Sequence, residues 1–367
     1  MMTLAELPLA QQARPLRGVL DVPRDELLAW LEERGQPPLR ARQIERWIVV
    51  ARATDFEAMT DIPQTLRQGL AAAFTPLASR VDRHLVSIDG TNKLLLGLAD
   101  GNVVECVLLK EADRRTVCVS TQVGCAMGCV FCASGIGGVV RNLRPAEIVE
   151  QVVRCRNLLP ADERITHVVV MGMGEPLANL DNLLEALATI TSPRGLGLSA
   201  RHVHISTVGL PALIRRLADL GKQYHLAVSL HAPNDGLRTR IVPTNDKIGL
   251  EAIVAAADYF YATTGRQVTY EYVLLRELND RPEHARELAH LLHGRQAHVN
   301  LIPFNDVRGL PWRRPEQDAL DHFVATLRRA RISVKVRKRK GADIDAACGQ
   351  LRREALASAE PVGSPGV

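Results

Sequence analysis

No apolar run in the 367 residues reaches the roughly 18 needed to cross a bilayer, so no membrane span is expected. The opening stretch, MMTLAELPLAQQARPLRG, lacks a cationic segment followed by a long apolar one, so no secretory signal is expected either. Internal repeats and a low-complexity core are both missing, which argues against a solenoid or a disordered polymer. Neither sign of charge dominates. Forty-six Lys and Arg against 41 Asp and Glu leave a net +5, which favours polyanionic partners only mildly. An even cysteine count is lacking too, since the chain has seven. These absences together predict a reducing cytoplasm, where clustered cysteines bind metals or react and do not staple folds. Hydrophobic residues at 46% and charged residues at 24% are ordinary for a globular protein. The length allows one large α/β domain with a small accessory unit.

Residues 1–15 read as a flexible tail. From 16 to 78, PRDELLAWLEERG, PPLRARQIERWIVVAR and PQTLRQGLAAAF repeat apolar residues at three- and four-residue spacing, predicting a helical accessory domain. Arg40, Arg42 and Arg46 make it basic on one side. Over 79–110 the period drops to two, with turn signals at DGTN and ADGN, predicting short antiparallel strands in hairpins. From 111 to 341, strand candidates 116–121, 166–174, 201–207, 224–230, 267–275 and 298–304 alternate with helix-length segments such as PAEIVEQVVRCRNLL and LPALIRRLADLG. Six strand–helix alternations predict an α/β fold, a partial (β/α)6 TIM-like barrel with a parallel sheet and helical cover. A last strand, RISVKVRKRK, leads into the 342–367 segment, whose end, ASAEPVGSPGV, reads as disordered. Glu175, Ser206, His231 and Asn305 fall at strand carboxyl ends, where α/β barrels gather function.

GCAMGCVFCASG packs Cys125, Cys129 and Cys132 into eight residues, and no fourth cysteine follows nearby. Zinc and iron–sulfur centres usually take four protein ligands. A structural zinc site needs a further ligand. A three-thiolate loop after a strand favours an iron–sulfur cluster with an open corner.

CxxxCxxC with Phe131 before the last cysteine resembles the radical S-adenosylmethionine superfamily. The resemblance implies a 4Fe–4S cluster on Cys125, Cys129 and Cys132, whose fourth iron takes the amino and carboxylate groups of S-adenosylmethionine. MGMGEP resembles the glycine–glutamate element holding the methionine end, placing Gly174 and Glu175 there. Ser206 in HISTVG, Ser229, Leu230 and His231 in SLHAPND, and Asn305 in LIPFN are implied contacts of the same molecule. The likeness then narrows. RARQIERW, VECVLL, CVSTQVGCAMGCVFCASG, RNLRPAEIVEQV, MGMGEPL, SLHAPNDGLR, EYVLL, LIPFN and GADIDAACGQL resemble the adenosine-C2 methyltransferases of 23S rRNA and tRNA across nearly the whole chain.

Adenine C2 is an electron-poor amidine carbon that cannot attack a sulfonium methyl. In the family, the residue matching Cys348 takes a methyl from one S-adenosylmethionine, and a radical from a second removes hydrogen from that S-methyl group. The resulting carbon radical adds to C2 and gives a protein–RNA adduct. Deprotonation follows, with Glu105 at the position of the proton acceptor, and the residue matching Cys118 forms a disulfide with Cys348 to release product. The implied targets are an adenosine in the peptidyl-transferase region of 23S rRNA and adenosine 37 of tRNAs. The implied electron donor is a flavodoxin or ferredoxin, and the expected state is a monomer. Read without the resemblance, Glu105 is a solvent-facing strand carboxylate and Cys348 a core thiol.

A C8-methylating branch shares the cluster, the paired cysteines and the cofactor motifs, and an RNA-binding module holding structural zinc is a rival of another class. MGMGEPL, SLHAPND and LIPFN look more like the C2 branch. RRARISVKVRKRK places many cations just before Cys348, as phosphate contacts or as a solvated face. Cys106 and Cys155 match no motif, and His202 and His204 read as ordinary residues alternating on one strand face.

Overall fold

Leu27 and Leu31, Ala41, Ile44 and Ile48, and Leu66 and Leu70 are buried at helical spacing, and each set draws one helix onto a shared core. These are α1 (Arg24–Glu32), α2 (Leu39–Val49) and α3 (Gln64–Ala73). Prolines immediately precede all three, pre-setting the turn at which each chain enters its helix. A short parallel pair, β1 (Arg17–Gly18) and β2 (Phe74–Thr75), ties the two ends of this unit together. The structure, a computed structural model, describes residues 16–351; the tail expected at 1–15 and the disorder expected at the C-terminal end lie outside those residues.

The antiparallel segment comprises β3 (Arg80–Val86), β4 (Asn92–Gly97) and β5 (Val103–Lys110), and β5 also pairs antiparallel with β6 (Arg115–Cys118). A separate two-stranded ribbon, β7 (Gln122–Gly124) and β8 (Val139–Asn142), brackets the three-cysteine loop. Strand and helix then alternate: α4 (Pro145–Arg156), β9 (His167–Val170), α5 (Leu180–Thr191), β10 (Val203–Thr207), α6 (Pro211–Asp219) and β11 (His225–Ser229). They continue as α7 (Asp235–Ile241), α8 (Leu250–Thr264), β12 (Val268–Leu274), α9 (Pro282–Leu291), β13 (Ala297–Pro303), α10 (Gln317–Arg329) and β14 (Ser333–Val336). Ten strands form one sheet in the order β14-β13-β12-β11-β10-β9-β6-β5-β4-β3, parallel from β14 to β6. The partial barrel expected from the alternation is therefore present. Its sheet is open, with β14 and β3 as edges, and the antiparallel hairpins extend the barrel sheet itself.

Several strands are shorter than their apolar runs. β9 stops at Val170 because the glycine-rich MGMGEP leaves the sheet, with Gly174 at φ +103°. Ser199 caps a 3-10 turn at Ala200–His202, so His202 and His204 do not share a strand face as expected. Two helices go beyond the pattern read above: α7, capped by the Asn234 side chain on the Leu237 N–H, and α10.

Arg238 on α7 is fully buried and joins strand ends that no apolar residue could join. Its guanidinium donates to the carbonyls of Leu230 (3.0 Å), Ser229 (3.1 Å) and Val208, and to Asn245 Oδ1 (2.6 Å). Burial lowers its pKa to about 10, so it stays charged near neutrality. Arg238→Ala leaves several buried carbonyls unpaired at roughly 1–3 kcal/mol each. A fall in melting temperature of at least about 5 °C is expected in calorimetry; an unchanged transition would contradict this account.

Candidate active site at the carboxyl ends of the strands

The three-cysteine loop is closed by backbone constraints. Gly124 sits at φ +78°, and a Cβ there would lie 2.0 Å from the Gly138 carbonyl, so only glycine fits where β7 meets β8. The Val130 N–H donates to the Ile241 carbonyl at 3.0 Å, and Trp312 Nε1 donates to the Val130 carbonyl at 2.9 Å, pinning the loop between α7 and the segment after β13. Burial pushes the Cys125 thiol up to about 12, and burial with its neighbouring thiols pushes Cys129 well above the usual range; Cys132 is raised mainly by burial. Thiols gathered in this way become thiolates together only when a cationic centre offsets their charge. No trio of His, Cys, Asp or Glu among the described residues is drawn tight enough for a single metal ion. Three thiols lining one cavity are the soft sulfur donors that an iron–sulfur centre takes.

That cavity, about 140 Å³, is lined by Cys125, Cys129, Cys132, Gly174, Glu175, Ser206, Ser229, His231, Asn305 and Cys348. Gly174 is required by contact, because a Cβ there would lie 2.6 Å from the Gln122 side chain. Glu175 is buried, and burial raises its pKa. Its two oxygens accept from the N–H groups of Leu177 (3.0 Å) and Val208 (2.9 Å), which lower it. The Thr207 side chain bonds the same carboxylate, which leaves one of its four lone-pair positions for a ligand. Ser206 Oγ and Ser229 Oγ are 3.3 Å apart. His231 is held neutral near pKa 3 by burial and by Arg238; its Nδ1 accepts the Val273 N–H at 3.1 Å, and its ring meets Phe131 edge-on at 4.8 Å. Asn305 Nδ2 donates to the Cys348 carbonyl at 3.2 Å. Three expected residues, Cys118, Leu230 and Glu105, do not line this cavity. The Leu230 side chain is buried in the main core, and only its backbone faces the strand ends. Glu105 lies on β5, buried rather than solvent-facing.

A second cavity, about 560 Å³, runs along the barrel lumen. Cys348 and Asn305 line both cavities, while Cys118 lines the lumen. The Cys118 thiol is pushed up to about 12 by burial and then by Cys348, with the Arg337 guanidinium acting in the opposite direction. Lys335, Arg337, Lys338, Arg339 and Lys340 line this space; Lys335, Lys338 and Arg339 are also exposed to solvent, while Arg337 and Lys340 are half-buried. Arg337 and Glu271 escape a sequence reading. Arg337 Nη1 stands 3.9 Å from Glu271 Oε2, and both line the two cavities. The one available signal for Glu271 is a lone acid inside the apolar run TYEYVLL. His204 and His167 also line this space, His204 stacking on His225 at 4.4 Å and His167 on His202 at 4.6 Å. Burial and neighbouring cations lower His204 to about 3 and His225 to about 4, so these rings are uncharged near neutrality.

Among the remaining thiols, Cys106 Sγ lies 3.7 Å from Cys155 Sγ, both buried between β5 and α4. On the accessory unit, Arg40 and Arg46 converge on the Asp61 region, Arg46 at 2.8 Å from its carboxylate, which offsets part of the basic side expected there.

The chain matches the radical SAM superfamily over residues 119–291 and the ribosomal RNA large subunit methyltransferase N-terminal domain over residues 18–75. It is 55% identical to a probable dual-specificity RNA methyltransferase RlmN of Rhodopirellula baltica, covering 90% of this chain and 89% of that protein. It is 46% identical to one of Symbiobacterium thermophilum so named, covering 90% of each. A crystal structure of a radical SAM methyltransferase from Sphaerobacter thermophilus superposes with a TM-score of 0.88 at 43% identity, covering 92% of this chain and 100% of that one. The superfamily implies a 4Fe–4S cluster and S-adenosylmethionine, and the three cavity thiols fit the cluster. The chain belongs to the RlmN family of radical S-adenosylmethionine RNA methyltransferases.

Proposed function

We propose that this enzyme methylates C2 of an adenosine in the peptidyl-transferase region of 23S rRNA, and C2 of adenosine 37 in tRNAs. The observation that carries the reading is the position of Cys348 at the junction of two cavities. One holds the three-cysteine loop, Gly174 and Glu175, and the other holds Cys118. A thiol there can collect a methyl group on one side and deliver it on the other.

Cys125, Cys129 and Cys132 hold the cluster; Gly174, Glu175, Ser206, Ser229, His231 and Asn305 hold S-adenosylmethionine, with Leu230 contributing backbone only. When bound, these groups supply a methyl group and a carbon-centred radical, two S-adenosylmethionine molecules being used per turnover. Cys348 carries the methyl as a thioether and stays bonded to the RNA after the new carbon–carbon bond has formed. Glu105 accepts the proton leaving C2. Cys118 then closes a disulfide with Cys348 and frees the product. The lumen-lining cations from Lys335 to Lys340 take the phosphates flanking the target, which gives salt-dependent affinity. The adenosine leaves its stack to enter the lumen.

The functional divisions are the 16–78 accessory unit, which adds RNA grip, the 79–110 extension carrying Glu105, the 111–341 barrel, and the 342–367 segment carrying Cys348. The enzyme works as a cytoplasmic monomer fed electrons by a flavodoxin or ferredoxin. Among the described residues, no helix is long and apolar enough to cross a membrane. The test is mass spectrometry of nucleosides from protein-free rRNA and tRNA after anaerobic turnover. 2-Methyladenosine is expected in both; 8-methyladenosine alone would overturn the C2 assignment, and unmodified tRNA would remove that substrate.

A further inference from the structure

Lys93 is a buried cation with two partners. Its Nζ lies 3.0 Å from Glu105 Oε1, the side chains being 9% and 6% exposed. The same Nζ donates to the carbonyl of Asp345 at 3.1 Å, three residues before Cys348. Sheet register sets this up. Lys93 sits opposite Val107 and Leu95 opposite Glu105, so Lys93 and Glu105 are diagonal neighbours on one face of the β4–β5 hairpin. Val107 on that face lines the lumen, and Cys118 is its partner on β6. The Glu105 charge also acts on the Cys106 thiol, next in sequence and on the opposite face, and helps to raise it.

Other bonds fix the start of the Cys348 segment. Asp343 accepts from Ser87 Oγ and from the Ile88 N–H (3.1 Å), and the Gly341 N–H donates to Asp89 Oδ2 (3.1 Å). Beyond Cys348, the Gly349 carbonyl accepts the Ala133 N–H at 2.8 Å. The Lys93 ammonium alone among these ties reaches both the segment and the Glu105 carboxylate.

We propose that Lys93 is the positioning residue of the proton-transfer step, keeping Glu105 ionised and tethered to the segment that carries Cys348. The proposal rests on the reading of Glu105 as proton acceptor. A buried carboxylate without a cation reverts to its neutral form and is then no base. With Lys93 in place, the C2–H bond breaks, its electron pair stays in the RNA adduct, and the proton passes to a Glu105 oxygen. The charge left beside the neutral acid is the ammonium, whose tie to the Asp345 carbonyl holds it in place.

Lys93→Met, Lys93→Gln and Lys93→Arg test this with the full cluster-loaded enzyme beside Glu105→Gln. Lys93→Met should retain its iron and the formation of 5′-deoxyadenosine. It should lose product by about 10²-fold, the lower range for a general base, accumulate protein–RNA adduct, and move the pH–rate profile upward. Lys93→Gln keeps a donor for Asp345 without the charge, so it should show the same pH displacement and decides the matter if Lys93→Met fails to fold. Lys93→Arg should restore the original profile. Hydrogen exchange in the protein without cofactors should rise over residues 342–347 in Lys93→Met and stay unchanged in Glu105→Gln. An unshifted profile in Lys93→Met and Lys93→Gln, with Glu105→Gln still impaired, overturns the role of Lys93. Undiminished turnover by Glu105→Gln overturns the reading of Glu105 itself.

Discussion

Replacing Cys348 by alanine should abolish methyl transfer to RNA, by at least about 10⁴-fold on the scale of a lost covalent nucleophile, while iron content is retained. Among the other described thiols only Cys132 lines both cavities, and it is a proposed cluster ligand. Cys125, Cys129 and Cys132 are the proposed cluster ligands, Cys106 and Cys155 are sealed against each other, and Cys118 lines only the lumen. Folding should tolerate the change, because the segment is held by backbone and neighbouring side chains. Asn305 and Ala133 bond the carbonyls of Cys348 and Gly349, and Gln350 Nε2 donates to the Asp306 carbonyl at 2.7 Å. Radiolabelled methyl transfer, measured beside iron content, checks this. Turnover that survives the substitution would refute a route through a methylated thiol.

Cys118→Ala should have the opposite signature: RNA covalently attached to protein that is not released. The first carbon–carbon bond needs only Cys348, while breaking the tether needs a second sulfur. Thiol–disulfide chemistry runs through the thiolate, and the Cys118 thiol, pushed up to about 12, is protonated when the lumen is at rest. The Arg337 guanidinium and the Met171 backbone favour the charged form without overcoming burial, so release should respond more steeply to rising pH than earlier steps. Denaturing gels of anaerobic reactions should show most of the enzyme shifted by bound RNA. Free product at the unaltered rate, with no shifted band, would remove Cys118 from the release step.

Much of this site could be read from local sequence, because its chemistry is carried by residues close together along the chain. Cys125, Cys129 and Cys132 sit in one loop, Gly174 and Glu175 end one strand, and the helices of the accessory unit follow from the spacing of Leu27, Leu31, Ile44 and Ile48. What local sequence conceals is set by register across strands. Lys93 meets Glu105 because of how β4 pairs with β5, and that pairing turns an apparent surface carboxylate into a buried ion pair. Arg337 is one cation in a basic run until β14 turns it toward Glu271 on β12. The stacked imidazoles come from β9, β10, β11 and the turn before β10, and no single stretch announces them. Leu230 shows the reverse case: its motif points to the cofactor, yet the alternation of β11 sends its side chain into the core.

The sheet has two ends, and they do not meet. The chain leaves one end at β14 and, within a few residues, its 341–343 stretch is bonded to the turn between β3 and β4 at the other. Those eleven residues, 341–351, therefore span the gap in the wall and carry Cys348 across it. The wall is closed on that side by loop and side-chain bonds and not by a strand ladder, so the thiol of the proposed route hangs from a seam that backbone pairing does not lock.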